Sequence, residues 1–283
     1  MGEHEAAARA WGEGDPTAAL DPALAREVLT DGTLEIRGRI MPASNATYLA
    51  EAVEGDTMLP CVYKPIAGER PLWDFPHGTL AGREIAAFLV SSALGWDVVP
   101  LTVLREGPHG PGMAQVWCEP DTSVEAVDLC PEGDVPEGFL RVLDATDGDD
   151  RPVSLVHEDS DALRRMAVFD VLVNNADRKG GHVLAMPDGH RYGVDHGICF
   201  HEEHKLRTVL WGWAGQSLRP EDRTAVETLV QRLCDDERFE RVLDELLTED
   251  EVEALRRRCR RLLAKGRMPS PGGHWPSIPW PAF

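Results

Sequence analysis

The chain has 283 residues, of which 42% are hydrophobic and 28% are charged, and this composition excludes fibrous and wholly disordered classes. Its 49 acidic residues outnumber 29 basic ones, which gives a formal net charge of −20 at pH 7. So acidic a molecule repels nucleic acids and anionic bilayers, which bind clustered Lys and Arg, and we expect no nucleic-acid partner. The length suits one two-lobed domain or two small domains.

The cysteines and the apolar segments bear on the compartment. Six cysteines are scattered without a Cys-x-x-Cys pair, so neither a zinc ribbon nor a secreted disulfide framework is indicated. The acidic N-terminus lacks the basic start and apolar stretch of a signal peptide. The most apolar window, residues 85–96, is shorter than the roughly 20 residues that cross a bilayer. We therefore expect a cytoplasmic protein without a membrane span.

The first part of the chain predicts a small antiparallel sheet with one inserted helix. Residues 1–28 are rich in Ala, Gly and acids with weak periodicity, and predict a weakly ordered N-terminal segment. Residues 29–118 hold the sheet and the helix. Strands are expected at 34–40, 47–53, 58–64, 98–104 and 113–117, and the helix at 79–94. A turn-rich stretch over 41–46 separates the first two strands.

Residues 119–267 predict a mostly helical second part. Its beginning, residues 119–160, is acidic and rich in Pro and Gly, which indicates a connector and a surface excursion. The further expected elements are a helix from Asp161, a hairpin around residues 187–189 and helices over 218–265. The tail, residues 268–283, is rich in Pro and Trp.

Four features follow one another in an order that suits phosphoryl transfer from a nucleotide. They are the turn at 41–46, Lys64 at a strand end, Glu84 inside the next helix, and two later acidic motifs. Such a site needs backbone N–H groups over the phosphates, a Lys on them, a carboxylate that holds the Lys, an Asp near the attacking oxygen and a metal-binding Asp. A strand-terminal Lys alone is usually a solvated charge, so only the combination is informative.

The two acidic motifs span Val173 to His182 and Tyr192 to Gly197. The first ends a helix in a polar, Gly-containing loop, and the second follows a short hairpin. Helix, polar loop, hairpin and Asp-x-Gly follow one another in kinase catalytic lobes. The same residues also fit a helix C-cap followed by an ordinary tight turn, so the motifs alone leave both interpretations open.

These motifs resemble those of the phosphatidylinositol 3- and 4-kinase superfamily, most closely the type II phosphatidylinositol 4-kinases and an actinobacterial kinase-like group. The resemblance covers about residues 32–215, in five segments. The segments are Ser44-Asn45, Cys61 to Pro65, Arg83 to Leu89 with Leu94-Gly95 and Val99-Pro100, Asn174 to Leu184, and Val194 to Gly197. The resemblance implies an α+β, two-lobed, protein-kinase-like fold of the atypical PI3/PI4-kinase type. Its antiparallel-sheet N-lobe would span 29–118 and its mostly helical C-lobe 119–267.

The resemblance also implies a set of ATP-binding residues. These residues are Ser44, Asn45, Lys64, Glu84, Gln115, Trp117 and Glu119. Lys64 would contact an α- or β-phosphate, and Glu84 would orient Lys64. The stretch from Gln115 to Glu119 would form the hinge between the lobes, where backbone groups contact the adenine edge.

In the second lobe the resemblance implies that Asp177 accepts or orients the proton of the substrate hydroxyl. Arg178 would support the loop or the transferring phosphoryl group, and Asp195 would bind the metal. Where the family usually places an Asn as second metal ligand, this sequence has His182. Magnesium prefers oxygen ligands, whereas imidazole suits softer ions such as manganese. We predict a slow site that uses one Mg²⁺ or prefers Mn²⁺; the other interpretation is that His182 packs beneath the loop.

The expected activity is that of an ATP-dependent kinase, which transfers the γ-phosphoryl group to a hydroxyl of a protein or small molecule. A lipid acceptor is less expected, because the chain is acidic and shows no anchor. The alternative is a pseudokinase, a nucleotide-binding regulatory or scaffold module without turnover. Two other patterns give weaker indications of function. His201-x-x-His204 lacks the helix and the Glu of a zinc hydrolase. The basic run from Arg256 to Arg267 suits a helix end better than a docking patch for an anionic partner.

Overall fold

The computed structural model describes residues 20–41, 43–272 and 276–283. The helices within these ranges are α1 (Pro22–Asp31), α2 (Leu80–Leu94), α3 (Asp161–Val173), α4 (Pro220–Asp235), α5 (Glu237–Leu246) and α6 (Glu249–Lys265). The strands are β1 (Thr33–Arg39), β2 (Tyr48–Glu54), β3 (Thr57–Pro65), β4 (Thr102–Gly107), β5 (Gly110–Val116), β6 (Val127–Pro131), β7 (Phe139–Thr146), β8 (Pro152–Glu158), β9 (Val183–Ala185) and β10 (Arg191–Gly193). The chain is therefore a mixed α and β protein, as the sequence predicts.

A five-stranded antiparallel sheet forms the first part, with the strand order β1-β2-β3-β5-β4. The alternation of apolar and polar residues places one face of the sheet against α1, where Val28 and Leu29 are fully buried. In the register, Lys64 near the end of β3 pairs with Met113 of β5. The predicted sheet is confirmed, and its pairing brings Lys64 to the edge that faces the second part.

Helix α2 lies between the sheet and the helical second part, in contact with β4 and β5 on one side and with α4 and α5 on the other. Its sequence is apolar on nearly every face, which is typical of a helix buried between layers. Glu69 caps its start by accepting hydrogen bonds from the backbone N–H groups of Leu80 and Ala81. The helix ends at Gly95, which has the left-handed φ of 67° that such an ending favours.

The loop between β3 and α2, residues 66–79, contacts both parts of the fold. On the sheet side, Asn45 Oδ1 accepts a hydrogen bond from Arg70 N at 2.8 Å. On the other side, Asp74 lies 3.1 Å from Lys205 Nζ, and the Phe75 ring packs edge-on against His201. The loop thus bridges the two parts in front of α2.

Residues 119–160, expected from the sequence to be a connector and surface excursion, contain a second antiparallel sheet with the order β6-β8-β7. The expectation is wrong because the acidic, Gly- and Pro-containing turns dominate the composition and obscure the alternation of the three strands. The buried residues of the central strand, among them Leu155 and Val156, face the core. An ion pair between Glu158 and Arg191, at 2.9 Å, joins this sheet to the β9-β10 hairpin.

The prediction of a weakly ordered segment over residues 1–28 is wrong for residues 22–28, which belong to α1. Asp21 caps this helix by accepting hydrogen bonds from Ala23 N and Leu24 N, and the buried Val28 anchors it to the sheet. Residues 1–19 lie outside the described ranges, as do residues 273–275 of the predicted tail. In the part of the chain that is described, no helix is both long and apolar enough to cross a bilayer.

The helical second part holds the larger core, to which α3, α4, α5 and α6 contribute apolar side chains. The helices predicted over 218–265 are confirmed, with α4 beginning at Pro220. Helix α6 begins with a reciprocal capping box, in which the Thr248 hydroxyl accepts from Glu251 N and the Glu251 carboxylate accepts from Thr248 N. Glu251 also pairs with the buried Arg83 of α2, so the capping box ties two helices together.

Replacing Thr248 by alanine should lower the free energy of unfolding by about 1 kcal/mol, because the capping bond to Glu251 N is lost. Urea unfolding followed by circular dichroism measures the change. The control is Thr228→Ala, since the Thr228 hydroxyl only donates back to Thr224 O within α4 and should alter stability by less than about 0.5 kcal/mol. Equal losses in the two variants would contradict the role of the cap.

Candidate active site

Lys64 lies between two carboxylates that come from distant parts of the sequence. Its Nζ is 2.8 Å from Oε1 of Glu84 on α2 and 2.8 Å from Oδ1 of Asp195, which follows β10. The end of β3, the middle of α2 and the second acidic motif therefore converge on one point. The sequence predicts the pairing of Lys64 with Glu84, and the structure adds the direct contact with Asp195.

The charges in this cluster perturb one another. Burial lowers the pKa of Lys64, but attraction to Asp195 and Glu84 outweighs it, so the net pKa is raised. Attraction to Lys64 holds the pKa of Asp195 well below its usual range. Lys64 and Asp195 are therefore both charged at pH 7. The Glu84 side chain is only 2% exposed, whereas 54% of the Asp195 side chain faces solvent, so Asp195 is the carboxylate that a ligand can approach.

The backbone at Asp195 is in the left-handed region, with φ of 62°, which is unfavourable for residues with a Cβ. The next residue, His196, donates its backbone N–H to Glu84 Oε2 at 2.8 Å. The strained turn therefore lets one short segment hold both Lys64, through the Asp195 side chain, and Glu84, through its backbone.

Asp177 lies in the loop that follows α3. The helix ends at Asn174, with φ of 55°, and the reversal directs the loop back along the helix end. Asn175 Oδ1 accepts from Asp177 N at 3.0 Å, which fixes the start of the loop. Burial raises the pKa of Asp177 above its ordinary value, and the nearby cations Lys179 and Arg207 offset this only in part.

Arg178 points away from solvent and is fully buried. Its Nε contacts both carboxylate oxygens of Asp170, and one Nη contacts the same carboxylate at 3.0 Å. The remaining donors bind His196 Nε2 at 2.7 Å and the carbonyl oxygens of His182 and Val194. Of the two roles implied for Arg178, its contacts serve support of the loop; the side chain does not face a phosphoryl group, so its assignment as a catalytic residue is corrected.

Gly193 makes this burial possible, because a Cβ there would lie 2.8 Å from Arg178 Nη2.

One feature of the sequence indicates that Arg178 is buried, and the sequence analysis missed it. Asp170 occurs eight positions before Arg178 on an otherwise apolar face of α3, and a buried carboxylate requires a cation.

His182 lies beside Asp195 and also contacts the loop of Asp177, so both interpretations of this residue stay open. Its Nδ1 is 2.9 Å from the carbonyl oxygen of Asp177, and because a carbonyl only accepts, Nδ1 carries the proton. Burial lowers the pKa of His182 to about 4, so the ring is neutral at pH 7. Its Nε2 lone pair therefore faces Asp195 Oδ2 at 3.7 Å.

The turn predicted to contact phosphates is tied to the neighbouring loop. The side-chain oxygen of Asn45 accepts from Arg70 N at 2.8 Å, and Ala46 N donates to Gly68 O at 3.1 Å. No hydrogen bond among the described residues joins Ser44 or Asn45 to Lys64. Their contact with a nucleotide stays a prediction.

Of the predicted hinge, Gln115 belongs to the sheet. It pairs with both β3 and β4 along β5, and its side-chain amide donates to the Thr102 hydroxyl at 2.8 Å. Gln115 is 4% exposed, and its contact with a nucleotide stays a prediction. Trp117 lies one residue past the strand, and its Nε1 donates to Glu119 at 2.9 Å.

Two apolar clusters flank the stretch from Trp117 to Glu119. On the sheet side Trp117 packs with Leu49, and on the hairpin side Cys118 packs with Leu184 and Met186. Both clusters are made of buried apolar side chains. The sequence reasoning missed Leu184 and Met186, although both are apolar residues that closely follow the first acidic motif.

The histidine pair at 201 and 204 does not form a metal site. His201 Nε2 is 3.0 Å from the backbone carbonyl of Asp74, which fixes the ring in the bridging loop contact. Within the described ranges, no group of three or more His, Cys, Asp or Glu residues is arranged to hold a metal ion. All six cysteines are unpaired.

Comparison with known proteins identifies one family. The chain is 52% identical over 265 residues to Protein Rv2133c of Mycobacterium tuberculosis, with 90% of this chain and 94% of that protein covered, and it belongs to the same family. No protein-family model matches the chain. A crystal structure of CtkA, a proinflammatory kinase of Helicobacter pylori, aligns with 84% of this chain and 93% of its own, at a TM-score of 0.45 and 13% identity.

Replacing Arg178 by lysine should lower the free energy of unfolding by about 3 kcal/mol, because lysine keeps the charge but cannot supply five donors in a fixed fork. Urea unfolding gives the value. Arg219→Lys is the matched control, since Arg219 pairs with Asp161 at the surface and should lose less than about 0.5 kcal/mol. A loss below about 1 kcal/mol for Arg178→Lys would contradict the buried network, because breaking a buried pair costs more.

Proposed function

We propose that the protein is an ATP-dependent phosphotransferase that transfers the γ-phosphoryl group to a hydroxyl of a protein or small molecule. The observation that carries the proposal is the position of Lys64, whose ammonium lies 2.8 Å from a buried and from a half-exposed carboxylate. A structural ion pair would be complete with Glu84 alone. The second, accessible carboxylate and the nearby Asp177 supply the remaining groups that phosphoryl transfer needs.

In this proposal Lys64 holds the nucleotide phosphates. Its raised pKa keeps it charged, and Glu84, anchored by the backbone of His196, keeps the ammonium in place when phosphate oxygens compete with Asp195 for it. A fixed cation at the position of the phosphates lowers the barrier, because its orientation is set before the reaction begins. Apolar walls around Trp117 and Leu184 suit the adenine ring.

Asp177 would orient the acceptor hydroxyl. Its side chain is 26% exposed, so it can reach a substrate, and burial raises its pKa towards the range useful for accepting a proton. Asn175 and the buried Arg178 hold the loop on either side of it. The nature of the acceptor is not encoded in this carboxylate, so a protein and a small molecule both remain within the proposal.

The donor set next to Asp195 fits a divalent metal ion. His182 Nε2 and Asp195 Oδ2 face each other at 3.7 Å, and both present lone pairs. Two such acceptors repel each other unless a cation lies between them. Because the set holds two protein ligands, the remaining positions suit nucleotide phosphates and water. A metal ion bound there would neutralise phosphate charge, and the imidazole favours manganese over magnesium.

A pseudokinase, which binds nucleotide without turnover, is the second candidate. The replacement of the usual Asn by His182 favours it, because an imidazole is a poorer ligand for magnesium than an amide oxygen. Both functions use Lys64, Asp195 and the apolar walls. They differ only in whether phosphoryl transfer follows binding.

Lys64→Met should reduce ATP turnover at least about 100-fold, because a preorganised charge on the phosphates is lost. Transfer of the labelled γ-phosphoryl group to water, to the protein itself or to a peptide mixture measures turnover, and calorimetry measures binding. Lys265→Met, at the exposed end of α6, is the control and should leave both unchanged. Wild-type protein that binds ATP with metal but transfers nothing is a pseudokinase, and wild-type protein that binds no nucleotide contradicts both functions.

His182→Asn should change the metal preference of the nucleotide complex towards magnesium by about tenfold or more, because an oxygen ligand replaces an imidazole. Competition of Mg²⁺ against bound Mn²⁺, followed by electron paramagnetic resonance in the presence of ADP, gives the ratio of affinities. His190→Asn is the control, since that ring contacts the Asp97 carbonyl outside the site. An unchanged ratio in His182→Asn would show that His182 is not a ligand.

A further inference from the structure

His196 occupies the position between the two halves of the site. Its ring is fully buried, its backbone N–H binds Glu84 Oε2 at 2.8 Å, and its Nε2 contacts Arg178 at 2.7 Å. One residue thus touches the carboxylate that holds Lys64 and the arginine that holds the catalytic loop.

The contact with Arg178 fixes the tautomer of this ring. A guanidinium only donates hydrogen bonds, so His196 Nε2 must accept, and the neutral ring carries its proton on Nδ1. That N–H is buried, and no acceptor in the described part of the chain lies within hydrogen-bond distance of it. The carboxylate oxygen that faces it is Glu84 Oε2, at 3.9 Å.

A buried donor without an acceptor is unfavourable, and native proteins rarely keep one without a reason. Here the possible acceptor, Glu84 Oε2, lies 3.9 Å from Nδ1. An ordinary N–H···O hydrogen bond is about 3.0 Å long, so the carboxylate oxygen would have to move by roughly 1 Å to form one. Glu84 is held in this position from its other oxygen by Lys64, which Asp195 also contacts. A ligand that draws Lys64 away from Asp195 therefore frees the Glu84 carboxylate to turn.

We propose that His196 is a positioning residue, which donates Nδ1–H to Glu84 when nucleotide phosphates engage Lys64 and thereby couples nucleotide binding to the loop of Asp177. This inference rests on the proposed function. The coupling runs through contacts that are already formed: His196 binds Arg178, and Arg178 binds the carbonyl oxygens of His182 and Val194, next to the metal-binding pair. A hydrogen bond from His196 Nδ1 to Glu84 Oε2 would complete a side-chain path from Glu84 through His196 and Arg178 to Asp170.

Two substitutions separate the two sides of the ring. In His196→Gln the side-chain oxygen reaches the position of Nε2 and can accept from Arg178, but no donor lies at the position of Nδ1. His196→Asn keeps a donor near Glu84 and loses the contact with Arg178. Both variants should lower kcat, since the coupling needs both contacts, by about tenfold, the effect of losing a supporting hydrogen bond around a metal site. The KM for ATP should stay within about threefold, because Lys64 and Asp195 are intact.

The control is His157→Gln. His157 is also a fully buried, neutral histidine that accepts a hydrogen bond, from Gly212 N at 2.9 Å, but it lies beside Trp213, outside the site. Loss of a buried imidazole as such would affect this variant equally. We expect its kcat to equal that of the wild type in preparations matched for the folded fraction.

Nuclear magnetic resonance of histidine-labelled wild-type protein tests the contact without any variant. The resonance of the His196 Nδ1–H proton should shift downfield when ADP or a non-hydrolysable ATP analogue is added with Mg²⁺ and without Mn²⁺, because the proton then gains an acceptor. A wild-type protein that binds nucleotide without moving this proton, or variants with normal kcat, would overturn the inference and leave the proposed function standing. Absence of nucleotide binding by the wild type would overturn both.

Discussion

The contact of one ammonium with two carboxylates orders the rest of the site. Of the two carboxylates around Lys64, Glu84 is buried and Asp195 is half-exposed, so a ligand can approach the cluster at Asp195. The arrangement requires β3, α2 and the segment after β10 to meet within hydrogen-bond distance. The apolar character of α2 makes this possible, since the helix packs against both parts of the fold and presents Glu84 from within.

Regular patterns in the sequence predicted most of the fold, and irregular ones did not. Period-two alternation indicated the five-stranded sheet, and the Thr248 to Glu251 pattern indicated the start of α6. The β6-β8-β7 sheet was missed because its acidic, Gly- and Pro-containing turns dominate the local composition. Helix α1 was missed for a similar reason, since only Val28 and Leu29 of it are buried, too few to produce a clear periodicity.

The candidate site was also predictable only in part, because the sequence shows the order of its residues but not their contacts. The order of Lys64, Glu84, Asp177 and Asp195 along the chain predicted that they share one site, and three of them meet directly. Asp170 on an otherwise apolar helix face is the one sequence signal for the burial of Arg178, but the contact itself depends on the chain reversal at Asn174, which brings Arg178 onto Asp170. The position of Gln115 in the sheet agrees with the strand predicted over 113–117.

The loop between β3 and α2 limits how the two parts can move. It is hydrogen-bonded to Asn45 in the turn between β1 and β2 and, through Asp74, to Lys205 on the helical part. Wide separation of the parts would have to break the Asp74 to Lys205 pair and lift Phe75 from His201. The rate at which these loop contacts break would therefore limit how fast the two parts can open.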